Sequence, residues 1–244
     1  EIISGVQELG VSPGINLTAP ADTAFGRLHD IDLDEGFGVG FTATVTAART
    51  ADGGFAPIPL SSTSIDGLVL VGDFGQLTIG ADGSYAYQLN NSNPSVDSLA
   101  EGEIIYDHFL LTLTSHSVNS EESYDTVHEQ PLVIEILGTN DQPVIETISL
   151  IEGSVIESGL DSGLDVVGEN AYVSGMLISS DVDNNSTANW SIEGTSTGTY
   201  GSISIDQSTG EWTYTLANSD PITDSLDLGD SVIETFTARV TDDN

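Results

Sequence analysis

The chain has 244 residues, 39 Asp and Glu against three Arg and no Lys, and a formal net charge of −36. That charge excludes nucleic acid as a partner, because phosphate binding needs clustered cations, and it disfavours an anionic membrane surface. It also repels itself, so a compact state calls for bound multivalent cations or high salt. Cysteine is absent, so no disulfide staples the fold. No apolar run approaches the 18 residues of a membrane-crossing helix. No signal peptide opens the chain, and it reads as a segment of something longer. Hydrophobic residues make up 38%, which is too many for a disordered polyanion.

Residues alternate between apolar and polar from the first third onward, with almost no helical period. Period-2 runs fall at 41–46, 77–79, 85–89, 109–114 and 132–137. Turn signals separate them at Ala81-Asp82-Gly83 and Asn93-Pro94. A Gly–Asn–Asp–Pro segment at 138–143 then ends the strand character. Beyond it the alternation resumes at 203–205, 212–216 and 236–240, with turns at Ser208-Thr209-Gly210 and Asp220-Pro221. Short strands with Gly-rich turns predict an all-β protein built of antiparallel sandwiches.

The chain also repeats itself. Residues 8–34 lie on 157–183 at a constant offset, which places Glu8 on Glu157, Gly26 on Gly175, Asp32 on Asp181 and Asp34 on Asp183. Downstream, Gly83-Ser-Tyr-Ala-Tyr-Gln-Leu89 matches Gly210-Glu-Trp-Thr-Tyr-Thr-Leu216, and Phe109 matches Phe236. Two tandem modules follow, 1–141 and 142–244. The first carries a longer segment within about 36–73, enough for an extra hairpin. The second stops before a counterpart of 132–137. Repeated modules span, stiffen or bind more often than they catalyse.

Chemistry concentrates in the acidic pairs. Asp30, Asp32 and Asp34 alternate, as do Asp181 and Asp183, and alternate positions of an extended segment share a face. Carboxylates held together on one face need a cation between them. Ca²⁺ takes six to eight oxygens from carboxylates, amides and backbone carbonyls. Glu8 with Asp32 and Asp34 forms one candidate set. Glu157 with Asp181 and Asp183 forms the other, completed by Asn140 and Asp141 of the linker, which makes it a site at the joint. An EF-hand is excluded: the twelfth loop position, which needs Glu, is Phe41 counted from Asp30 and Ile192 counted from Asp181. A lone Asp-x-Asp is an ordinary solvated loop; two copies in register favour calcium.

Weaker candidates remain. His116 and His128 flank one hairpin and, with Glu129, suggest a transition-metal pair, though exposed loop histidines are commoner. Trp190 and Trp212 read as core packing rather than sugar platforms. No catalytic constellation stands out among the 39 acids, so no enzyme is expected.

The motifs Gly75-Gln-Leu-Thr-Ile-Gly-Ala-Asp-Gly-Ser-Tyr-Ala-Tyr-Gln-Leu89, Leu99-Ala-Glu-Gly102, Gly138-Thr-Asn-Asp-Gln-Pro143, Val173-Ser-Gly-Met-Leu177 with Asp181-Val-Asp183, and Val240-Thr-Asp242 together resemble the VCBS, cadherin-like or Ig-like, extender repeats of type I-secreted RTX adhesins of bacteria. The resemblance implies Ca²⁺-rigidified sandwiches strung end to end on a secreted or cell-surface adhesin. They would serve adhesion or biofilm formation, with neighbouring repeats as partners and a glycan or protein bound through other domains. It adds Asp242 to the calcium ligands. The first module departs from it, with Thr114-Ser115-His116 where Thr-Asp is expected. An alternative is a ligand-binding module that presents a glycan or peptide site on the 36–73 segment.

Overall fold

The structure, a computed structural model, describes residues 2–7, 11–12, 15–16, 23–28, 42–118, 123–160, 166–167 and 170–242. The chain divides into two compact units, Glu1–Asp141 and Gln142–Asn244. Both are built of strands, most of them antiparallel.

The first unit runs β1 (Ile2–Gln7), β2 (Val11–Ser12), β3 (Ile15–Asn16), β4 (Thr23–Arg27), β5 (Thr42–Thr50), β6 (Ala56–Pro57), β7 (Leu68–Val71), β8 (Gly75–Ile79), β9 (Ser84–Leu89), a single turn of helix α1 (Pro94–Asp97), β10 (Ile104–Val118) and β11 (Ser123–Leu137). One sheet has the order β1-β11-β10-β5-β6 and the other β4-β9-β8-β7. β1 lies parallel to β11; the other pairs are antiparallel. The second, fifth and fourth long strands of an immunoglobulin-type sandwich share one sheet, and the third, sixth and seventh share the other. That is the distribution here, with β4, β9 and β8 on one side and β5, β10 and β11 on the other.

Alternation builds the core. Leu77, Ile79, Tyr85, Tyr87 and Leu89 point inward from one sheet; Val45, Phe109, Leu111, Leu113, Leu132, Ile134 and Ile136 meet them from the other. Burying each large side chain contributes about 1.5–3 kcal/mol. The longer segment of the first unit, within about 36–73, supplies β6 and β7. β6 pairs with β5, and β7 pairs with β8. The inserted residues therefore widen both sheets, because each sheet offers an open edge whose ladder groups they satisfy.

The second unit runs β12 (Val144–Ile145), β13 (Gly159–Leu160), β14 (Val166–Val167), β15 (Tyr172–Met176), β16 (Ser179–Ser180), β17 (Asn189–Glu193), β18 (Gly201–Ile205), β19 (Glu211–Leu216) and β20 (Thr237–Thr241). Its sheets are β15-β19-β18 and the pair β17-β20, with β12-β16 and β13-β14 as small ladders. Leu177, Trp190 and Trp212 form the buried centre, flanked by Val173, Ile203, Ile205, Tyr214, Ala238 and Val240. Both tryptophans thus pack in the core.

The duplication recurs in the packing. On the ladder partner of Gly26 sits Tyr85, and on that of Gly175 sits Trp212. In each case a Cβ on the glycine would collide with the ring, so only glycine lets the aromatic lie across the strand. Gly75 under Tyr87 and Gly201 under Tyr214 repeat the device. Tyr87 meets Phe109 with ring centres 6.2 Å apart, and Tyr214 meets Phe236 at 6.0 Å.

Candidate metal centre

A second repeated feature escaped the sequence reading. Asp107, 1% exposed, accepts the Tyr87 hydroxyl at 2.9 Å and the backbone N–H groups of Asp73 and Phe74 at 3.2 Å each. Glu234 occupies the same station in the second unit. It accepts the Tyr214 hydroxyl at 2.5 Å, the Tyr200 N–H at 3.0 Å and the Thr199 N–H. Gly72 and Gly198 let the turns close on these carboxylates, since a Cβ at either would strike them. Burial first, and the facing carboxylate next, hold both phenols well above the ordinary tyrosine range. The signal was present as an acid two residues before the matched Phe109 and Phe236. These carboxylates have their donors supplied by the protein, so they pin a turn rather than bind a metal.

The predicted metal ligands divide into three groups. Glu8, Asp30, Asp32 and Asp34 lie outside the described residues. Asn140 and Asp141 end the first unit. β11 delivers the chain to Gly138, whose N–H donates to Glu103 O at 2.9 Å. A Cβ there would collide with the carbonyls of Leu99 and Ala100. This close approach draws the following residues against the unit, and Asp141 is 2% exposed. Asn140 Oδ1 and Asp141 Oδ2 are buried and take no hydrogen bond, although neither residue is without a partner.

Glu157, Asp181, Asp183 and Asp242 belong to the second unit. β16, paired with β12, leads directly into Asp181. The segment then turns rather than running extended, because Asp181 Oδ1 accepts the Asp183 N–H at 3.0 Å. Val182 points outward, 50% exposed, while Asp183 is 5% exposed. Asp181 Oδ2 and Asp183 Oδ1 are buried and accept no hydrogen bond, although Asp183 as a residue is not without a partner. Glu157 is half-buried just before β13, and Asp242 half-buried just after β20. Among the described residues, no three His, Asp or Glu side chains gather into a group that holds a metal. Glu157 therefore does not join Asp181 and Asp183 in a carboxylate triad.

The chemistry of Asp181 and Asp183 still fits a hard cation. A buried carboxylate is costly unless a positive charge or several donors compensate it. The chain has three cations. Arg27 lies 3.7 Å from Asp82, Arg49 donates to the carbonyls of Thr50 and Ala51 beside the Phe55 ring, and Arg239 is exposed on β20 opposite Ser191. Calcium accepts such a two-carboxylate donor set when backbone carbonyls, amides and water fill the rest of its shell.

Along the β10–β11 ladder His116 faces Asp125, whereas His128 faces Leu113. One further spelling invites a catalytic reading. Gly194-Thr195-Ser196-Thr197-Gly198 has the spacing of a nucleophile elbow, which requires a strand-to-helix turn. Here it joins strand β17 to strand β18, and Ser196 O accepts the Ile203 N–H at 2.8 Å.

No family model matches the chain, and no curated protein matches it. Among solved structures it is similar to Drosophila N-cadherin EC1-4, at 12% identity and a TM-score of 0.35, over 89% of this chain and 40% of that one. It is likewise similar to the human desmocollin-1 ectodomain, at 13% and 0.35, over 88% and 32%. Murine CEACAM1b follows at 12% and 0.26, over 89% and 85%. The chain spans less than half the length of the two cadherin-type ectodomains. At this distance the likenesses say nothing of calcium, adhesion or partners. No described helix is long and apolar enough to cross a membrane.

Proposed function

We propose that the chain is a calcium-stabilised structural extender of a large secreted or cell-surface bacterial adhesin, with neighbouring repeats of the same polypeptide as its partners. The observation that carries the reading is the Asp181-Val182-Asp183 turn, which buries carboxylate oxygens in a chain of net charge −36. The repeated Gly–aromatic and carboxylate–tyrosine devices support it, because they define one module used twice. In this role the residues of the chain work mechanically. The sandwiches supply rigid length, Asp181 and Asp183 hold the cation, and the cation relieves their mutual repulsion. The linker residues Asn140 and Asp141 serve the same end in the first unit. Extracellular calcium sites of this kind bind at about 10⁻⁴–10⁻³ M.

Calorimetric titration of the chain with CaCl₂ tests the proposal. Binding in that range, lowered by at least one ion in Asp183→Ala, is the expected result. No saturable binding below about 10 mM, well beyond that range, overturns it. The ligand-binding alternative gains support from one observation: the inserted β7 gives a sheet of the first unit a fourth strand, where the corresponding sheet of the second unit has three among the described residues.

A further inference from the structure

Outside the acidic turns, two adjacent cross-strand rows of one sheet lack acid, and the row beyond them holds Arg27 paired with Asp82. The outer face of β4-β9-β8-β7 is read directly from its ladders. One row across the four strands is Phe25, Ala86, Thr78 and Val69; the next is Thr23, Gln88, Gln76 and Val71. Neither row contains a carboxylate. Phe25 is 75% exposed and Val71 76%, while Gln76 and Gln88 are also exposed. The Thr23 hydroxyl donates to Gln88 Oε1 at 2.7 Å, which orients that amide within the row. At the end of the second row Val71, Gln76, Gln88 and Asn90, with Asp73 at the rim, line a shallow depression of about 330 Å³.

We propose that this face binds a neutral polysaccharide. Its aromatic ring and flat apolar positions suit the C–H faces of hexose rings, and its amides and hydroxyls suit their hydroxyl groups. Charge selects the class. A polyanionic glycan is repelled by the whole chain, and a cationic polymer is drawn to the acidic surface elsewhere. A neutral hydroxyl-rich chain is the partner that two uncharged rows suit, bordered as they are by the Arg27–Asp82 pair at one end and by Asp73 at the other. A second copy of this protein fits less well, since it brings another −36 charges with it. The insertion gives the face its fourth strand. The corresponding sheet of the second unit has three strands among the described residues. The proposal stands independently of the calcium reading, as it uses none of the same residues.

Affinity electrophoresis of the whole chain through gels containing dextran, mannan, laminarin or alginate provides the test. We expect retardation by at least one neutral polymer and none by the anionic alginate. Phe25→Ser and Gln88→Ala weaken the retardation at least ~10-fold, as removal of a central contact does. Tyr172→Ser, in the second unit, leaves it unchanged. Both first-unit positions are exposed, and melting curves matched to the parent show that the variants keep their fold. Three results overturn the proposal: no retardation by any of the three neutral polymers, retardation indifferent to Phe25→Ser, or a Phe25-dependent dimer in sedimentation equilibrium without glycan binding. The last assigns the face to a second copy.

Discussion

The two units share a plan and differ in how far it is filled. In the first, β10 is sandwiched in its sheet between β5 and β11, and Leu132, Ile134 and Ile136 are wholly buried. In the second, β20 pairs with β17 alone among the described residues. Its centre shrinks to Leu177, Trp190 and Trp212. Yet both keep the glycine beneath the aromatic, the carboxylate beneath the tyrosine, and the tyrosine against the phenylalanine. The lesson is that these local devices specify the module, whereas the number of strands around them sets how much apolar surface each unit buries. A unit with a thin core depends more on other sources of stability, and the buried acidic turn of the second unit is the place to find one.

The largest expected effect tests that dependence. Trp190→Ala removes a third of the buried centre of the second unit and costs about 3–5 kcal/mol. Calorimetry should show the second-unit transition lost and the first-unit transition unmoved. A joint loss would show that the units are not independent.

Next come the paired carboxylates. Asp107→Ala strands a buried hydroxyl and two amides, at a cost of about 1–3 kcal/mol. Glu234→Ala should cost less, because Tyr214 is less buried than Tyr87. Chemical denaturation of the two variants checks the order; equal or reversed costs would break the comparison.

The glycines should behave alike. Gly26→Ala and Gly175→Ala each force a ring off the strand and destabilise their own unit by about 1–3 kcal/mol. Gly54→Ala, with open space around it, should stay within about 0.5 kcal/mol. Thermal melts of the three variants decide it.

The smallest effect lies in the turns. The Ser208 hydroxyl, with the Thr209 and Ser208 amides, holds Asp206 down to about 2. The Ser84 hydroxyl lowers Asp82 in the first unit. A depressed carboxylate stabilises the fold above its ordinary range and loses that contribution as pH falls through the folded value. Asp206 should therefore stay ionised until near pH 2 in an NMR titration. Ser208→Ala should shift its midpoint toward the ordinary 3.8. An unchanged midpoint would remove the hydroxyl as the cause.

Much of the fold was legible because period-2 alternation marks strands that bury one face. The runs at 85–89 and 212–216 are β9 and β19. The strands that were missed lack that pattern for physical reasons. The first half of β11, through Asp125, Thr126, His128 and Glu129, is exposed and held by its ladder to β10 rather than by burial. β6 and β7 complete two separate sheets, which no local pattern reports. In the candidate centre, Asp181 and Asp183 stood out because they repeat in register. Their turn did not, because it depends on one side-chain hydrogen bond. Asp107 and Glu234 were hidden because a buried acid two positions before a phenylalanine looks like any surface acid until its partners fold around it.

Scanning calorimetry of the chain in millimolar calcium and in excess chelator, at constant ionic strength, tests the central claim most directly. The account predicts that chelation lowers the second-unit transition, and that Asp183→Ala abolishes the difference. Identical transitions in calcium and in chelator would contradict it and leave the acidic turn as surface charge alone.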